Sequence, residues 1–130
     1  CRTPGFLAVA QHGVPQDIID RAWNAAHDFF DLPAEQKQLS KAPYKGYPYG
    51  YLGPGTEALA KSLNVDTPPD LKESFFVGLE VSPDDPRAAG GLYGPNQWPP
   101  GLPTFRSALE TYHSVMGDLA TYELARRNDR

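Results

Sequence analysis

The chain holds a single cysteine, Cys1, so no internal disulfide staples it. That usage fits a reducing compartment, and a cytoplasmic location is expected. Histidine is nearly as scarce. His12, His27 and His113 are the whole supply, none sits in a His-x-Asp or His-x-Glu pair, and none lies four residues from another. A two-histidine, one-carboxylate iron site needs close, convergent ligands, so neither a metal site nor a catalytic residue is expected in this chain. Basic residues are outnumbered 12 to 16, for a formal charge of −4. That balance provides no electrostatic footprint for nucleic acid and no cationic face for a lipid surface. No apolar run approaches the ~20 residues of a membrane-spanning helix, and the stretch from Gly5 to Ala10 is too short for a signal peptide. Nucleophile motifs are missing too, since Ser74 lies in Lys-Glu-Ser-Phe and not in a Gly-x-Ser-x-Gly elbow. The glycine-rich segment Gly50–Gly55 has no following lysine and carries Pro54 inside it, which excludes a phosphate loop.

What the sequence has in quantity is glycine (12), proline (14) and tyrosine (7). The first two demand turns and irregular segments. With 130 residues, one domain with a modest core is expected. Gly5–Ala10 reads as a buried strand, and the turn from Gln11 to Pro15 leads into a helix over Gln16–Asp31. Ile18, Ala22, Ala26 and Phe29 form the apolar stripe of that helix, widened by Ile19, Trp23 and Phe30. Leu32-Pro33 breaks it, and Pro33 opens a second short helix through Gln38. From Ser40 to Gly55, Tyr44, Tyr47, Tyr49 and Tyr51 alternate with glycine and proline. Two readings of this loop stand side by side: a ligand-facing surface, or rings that cover the core. A helical turn is expected at Thr56–Ser62, a proline turn at Asp66–Pro69, and a strand at Lys72–Gly78. Asp84 and Asp85, flanked by prolines, read as a solvated turn. Ser82–Pro103 is mostly connection, and the last helix runs from Thr104, a candidate N-cap, to about Arg127, with Phe105, Leu109, Tyr112, Met116 and Leu119 as its stripe. His27 and His113 are expected as partly exposed helix residues, and His12 as a turn residue donating to a backbone carbonyl.

Several segments carry a resemblance to a known family. They are Gly5-Phe6-Leu7 through His12-Gly13-Val14-Pro15, Phe29-Phe30-Asp31-Leu32-Pro33-Ala34-Glu35-Gln36-Lys37, Lys45-Gly46-Tyr47, Asp70-Leu71-Lys72-Glu73-Ser74-Phe75 and Asn96-Gln97-Trp98-Pro99. In this order and spacing the chain resembles the N-terminal region of the isopenicillin N synthase-like, non-haem iron(II) oxygenases. The resemblance implies an α+β fold over residues 1–130: helices and strands that wrap a double-stranded β-helix, or jelly roll, with the jelly-roll core itself largely absent. It implies Fe(II) and 2-oxoglutarate as cofactors of the complete enzyme, bound by the missing C-terminal jelly roll and not by this chain, and a small molecule as substrate. It also makes Lys45, Tyr47 and Ser74 candidates for the substrate pocket, and His12, Gly13, Asn96, Trp98 and Pro99 an architectural signature. Lys45 stands where the family usually has arginine, and lysine offers a point charge in place of a planar fork. The chain alone is expected to be inactive. The alternatives are a non-catalytic interaction module or a truncated gene product, the latter prompted by the polar tail from Arg126 to Arg130.

Overall fold

A computed structural model describes residues 8–56, 71–82 and 84–128, with side chains to residue 125. Helix α1 spans Gln16–Phe30 and α2 spans Ala34–Lys37, which runs on into a 3-10 turn, Gln38–Ser40. Strands β1 (Gly50–Leu52) and β2 (Ser74–Phe76) follow, then a 3-10 turn at Pro86–Gly90 and the long helix α3, Pro103–Asn128.

Helix α1 starts where its sequence directs. Pro15 takes the N-cap position with φ −58°, and its carbonyl accepts from Ile18 N–H at 3.1 Å. Asp17 lies in the positive first turn and pairs with Arg21 one turn on, at 3.0 Å. The buried face is Ala22, Ala25 and Phe29, packed mainly against α3. Trp23 departs from the expected stripe and is 66% exposed, with its ring edge against His27. Ala25 faces α3 instead, because two helices approach closely only where their contact residues are small.

Phe29 is fully buried and forms the hub of the core with Ala25, Tyr51 and Phe105. Its ring lies 4.9 Å from Phe75, 5.0 Å from Phe105 and 5.7 Å from Tyr51, mostly edge to face. Such offset contacts suit the ring quadrupole. The two strands pair antiparallel, with Gly50 opposite Phe76, Tyr51 opposite Phe75 and Leu52 opposite Ser74. Because side chains alternate across a strand, the Tyr51–Phe75 pair faces the core and the two flanking pairs face away.

Three sequence expectations need correction. Helix α3 begins at Pro103, so Thr104 lies within its first turn and Leu102, whose carbonyl accepts from Phe105 N–H, precedes it; proline at the first helical position explains the shift. His12 does not donate to a carbonyl. Its Nδ1 accepts from Val14 N–H at 3.1 Å, in a turn that places Gln11 at φ 54° and Gly13 at φ 73°. Ala8–Ala10 is not a strand, and the rest of that expected element lies outside the described residues, as do the turns expected beyond Thr56 and at Asp66–Pro69. Asp85 serves as a cap: its carboxylate accepts from Arg87 N–H at 2.9 Å and pairs with the Arg87 side chain.

Candidate functional site

The tyrosine-rich segment divides its rings between two tasks. Tyr51 is buried at 1% exposure and belongs to the core. Tyr49 is also buried and donates from its hydroxyl to Leu79 O at 3.0 Å. Tyr47 is half-buried and donates to Pro95 O at 2.6 Å, while its ring meets Tyr44 edge to face at 5.1 Å. Tyr44 is 63% exposed. Burial raises both the Tyr47 and Tyr49 hydroxyls above the usual phenol range, so both remain protonated donors at neutral pH.

Between these rings the chain turns sharply. Tyr47 N–H donates to Tyr44 O at 3.1 Å across Lys45-Gly46, and Gly46 adopts φ 91°. A positive φ at the third turn position is the type II requirement that glycine satisfies. The turn borders a cavity of about 640 Å³ lined by Lys41, Tyr44, Lys45, Tyr47, Leu52 and Thr56 among others. Its size falls in the range of small-molecule pockets, ~300–1,000 Å³. Lys45 and Tyr47 thus share one cavity. Ser74 does not line it, and sits instead opposite Leu52 in the sheet, on the outward face.

Tyr51, bridged to the backbone of the cavity residue Lys41, belongs to a buried charge cluster that spacing along the chain does not reveal. Lys37, only 7% exposed, directs its ammonium to both Glu73 oxygens, at 2.8 and 2.9 Å, and to Phe30 O at 3.0 Å. Tyr51 donates to Glu73 Oε1 at 2.6 Å. All three ammonium protons therefore have acceptors, which such a buried cation requires. Bonds from Lys37, and next from Tyr51, hold the Glu73 carboxyl below its usual range against the opposing effect of burial. Burial, then the bond to the Glu73 carboxylate, pushes the Tyr51 hydroxyl up to about 12. Lys37 and Glu73 belong to two separate motifs of the family resemblance. A lysine after Leu-Pro-x-Glu and a glutamate before Ser-Phe were the available signals, but nothing in one dimension pairs residues 36 apart.

The signature residues are tied into the frame around this region. Asn96 clamps Gly78 through both backbone atoms: its Oδ1 accepts from Gly78 N–H at 3.0 Å, and its Nδ2 donates to Gly78 O at 2.8 Å. Asn96 N–H donates in turn to Glu80 at 2.8 Å. Pro99 is buried. Trp98 meets Phe105 edge to face, with the Arg106 guanidinium 5.5 Å from its ring. Its indole N–H is buried and has no hydrogen-bond partner among the described residues. His12 and Gly13 form a turn against α3, beside Val115, Leu119 and Tyr122.

For iron, the donor set does not fit. Among the described residues no three His, Cys, Asp or Glu side chains gather around a common point. His12 is in the turn before α1, His27 is on α1 and His113 is on α3, all exposed. No chemical step can be routed through a metal held by these residues. Among the described residues, no helix is long and apolar enough to cross a membrane.

The site thus consists of helices beside a small antiparallel sheet, with a cavity at the tyrosine-rich loop. Residues 1–101 match the family described as non-haem dioxygenase in morphine synthesis, N-terminal. The chain belongs to this family, the N-terminal region of 2-oxoglutarate- and iron(II)-dependent dioxygenases. It is 36% identical over 122 residues to azadirone synthase LFS of Melia azedarach, covering 92% of this chain and 35% of that protein. It is 35% identical over 133 residues to the 2-oxoglutarate-Fe(II) type oxidoreductase hxnY of Emericella nidulans, covering 97% of this chain and 35% of that one. The crystal structure of a full-length Neurospora crassa protein in complex with alpha-KG superimposes with a TM-score of 0.60 at 27% identity, over 82% of this chain and 31% of the Neurospora chain. The chain spans about a third of the length of each of these relatives.

Proposed function

We propose that this chain is the N-terminal wrapper of an iron(II)- and 2-oxoglutarate-dependent oxygenase that oxidises a small molecule. In this reading α1, α3 and the small sheet pack around a jelly-roll core, and the core supplies the iron ligands and the 2-oxoglutarate site. The loop at Lys45–Tyr47 borders the substrate pocket, whereas Ser74 stands outside the cavity that this loop lines. His12, Gly13, Asn96, Trp98 and Pro99 serve architecture. The observation that carries the reading is the family match over residues 1–101, joined to relatives about three times as long. The dispersed histidines support it, since among the described residues no three metal-ligating side chains gather, and in this reading the chain by itself is inactive. Iron titration of the isolated chain, with succinate release followed in the presence of 2-oxoglutarate, tests this. The expected result is no stoichiometric iron binding and no succinate. Both together from this chain alone would overturn it.

A second reading, a non-catalytic interaction module, is favoured by one observation. Leu71, Leu92 and Leu124 are 92%, 74% and 64% exposed, apolar side chains that a partner chain would cover. Light scattering separates the two readings: a stable, monodisperse homodimer favours the module, whereas self-association without defined stoichiometry favours the wrapper.

A further inference from the structure

The cavity beside the tyrosine turn has a charge that the chain as a whole does not. The protein carries −4 overall, yet Lys41 and Lys45 both line this cavity, and among the described residues no Asp or Glu does. Among the described residues, neither ammonium has a carboxylate within salt-bridge distance, although Arg21, Lys37, Arg87 and Arg106 all do. Tyr44, Tyr47 and Leu52 supply aromatic and apolar wall, and Thr56 a hydroxyl.

The wall is also built to stay in place. The Tyr44–Tyr47 turn is closed by its own backbone bond and by the Tyr47 hydroxyl on Pro95 O. Gly94 lies so close to the Tyr47 ring that a Cβ there would come within 2.6 Å of the hydroxyl oxygen, so a larger residue would have to displace the ring. On the other side the backbone of Lys41 bridges Tyr51, which is itself held by Glu73. Two cations and an exposed Tyr44 ring are thus presented from fixed backbone, and preorganisation of this kind lowers the entropic cost of binding.

We propose that this cavity binds an organic anion with a flat apolar body, its carboxylate or comparable oxyanion held by Lys41 and Lys45 and its body lying against Tyr44 and Tyr47. Two ammonium point charges hold an oxyanion in any orientation and impose no bidentate geometry, so the ring wall sets the orientation. The inference rests on the oxygenase reading only for naming that anion a substrate.

Titration of the full chain with 2-naphthoate, followed by backbone amide chemical shifts, tests it, with 2-naphthalenemethanol and acetate as matched probes lacking the charge and the ring respectively. Shifts are expected to concentrate at Lys41 and Tyr44–Tyr47, with 2-naphthoate binding more tightly than either control and more weakly as salt is raised. Lys41→Ala and Lys45→Ala are each expected to weaken it roughly threefold, and the double variant about tenfold, as for exposed charge pairs. Both positions are exposed, and an otherwise unchanged spectrum verifies that the variants fold. Equal binding of the neutral alcohol, equal binding of acetate, or shifts that ignore the lysine variants would each overturn the proposal. The two readings fail separately. Succinate formed by the isolated chain would sink the wrapper reading and leave the anion site standing, while a loop silent to 2-naphthoate would sink the anion site alone.

Discussion

At the scale of single residues, the Lys37–Glu73–Tyr51 cluster has the greatest consequence for stability. Taking an ion pair out of water costs several kcal/mol per ion unless geometry and further hydrogen bonds compensate. Here they do, since the Lys37 ammonium has three acceptors and Glu73 gains a tyrosine hydroxyl. Removing one partner strands the other. Glu73→Gln is therefore expected to lower unfolding free energy by about 2–3 kcal/mol, below the ~3–5 of a fully buried pair because the Glu73 side chain is 27% exposed. Replacing both charges, as Lys37→Met with Glu73→Leu, is expected to recover part of that loss; urea denaturation of both variants beside the parent chain measures it. The cluster also sets a pH window. The Glu73 carboxyl is lowered on folding, so its stabilisation is present above its ordinary value of 4.5 and is lost as pH falls through the depressed folded value. The Tyr51 hydroxyl is raised, so its share is complete below pH 10 and fades as pH rises from 10 toward about 12. Melting temperature against pH is expected to plateau between these limits, and Tyr51→Phe to remove the alkaline decline attributable to this group.

At the scale of elements, the small sheet depends on what lies behind it. Two strands of three residues are not stable on their own; Tyr51 and Phe75 join them to the Phe29 core. Gly50 is the point where backbone itself stands in the way of a side chain. It adopts φ 110°, and a Cβ there would lie 2.7 Å from Ser40 O and 3.0 Å from Ala42 N. Gly50→Ala is expected to cost on the order of 2–4 kcal/mol, by unsuitable backbone and by contact with backbone that cannot yield. Gly90→Ala, with open space around it, is expected to stay within about 0.5 kcal/mol. Paired thermal melts provide the comparison. How much of this was legible varies with how local each element is. Helix α1 follows its own periodicity and capping, and its observed end at Phe30 is one residue from the expected Asp31. Trp23 could not be excluded from the stripe by spacing, since a helix wide in apolar residues does not say which edge its neighbour covers. Gly50 reads as a turn residue until the 3-10 turn at Gln38–Ser40 is placed against it.

At the scale of the whole molecule, apolar surface left outside the core is the main feature. Leu92, 74% exposed in the connection before α3, contributes little to the chain's own packing. Leu92→Ser is expected to change stability by less than about 0.5 kcal/mol and to reduce light scattering by the isolated chain; unchanged scattering would count against an adhesive role for that residue. The sequence by itself determined the helices, the break at Leu32-Pro33, the tyrosine-rich loop and the family, because each rests on residues near one another in the chain or on ordered short motifs. Only the tertiary structure decided that Lys37, Tyr51 and Glu73 form one cluster, that Lys45 and Tyr47 share a cavity without Ser74, and that two lysines face it with no acid among the described residues. Those facts depend on which segments meet in space, and burial and charge compensation act on distances that spacing along a chain does not record.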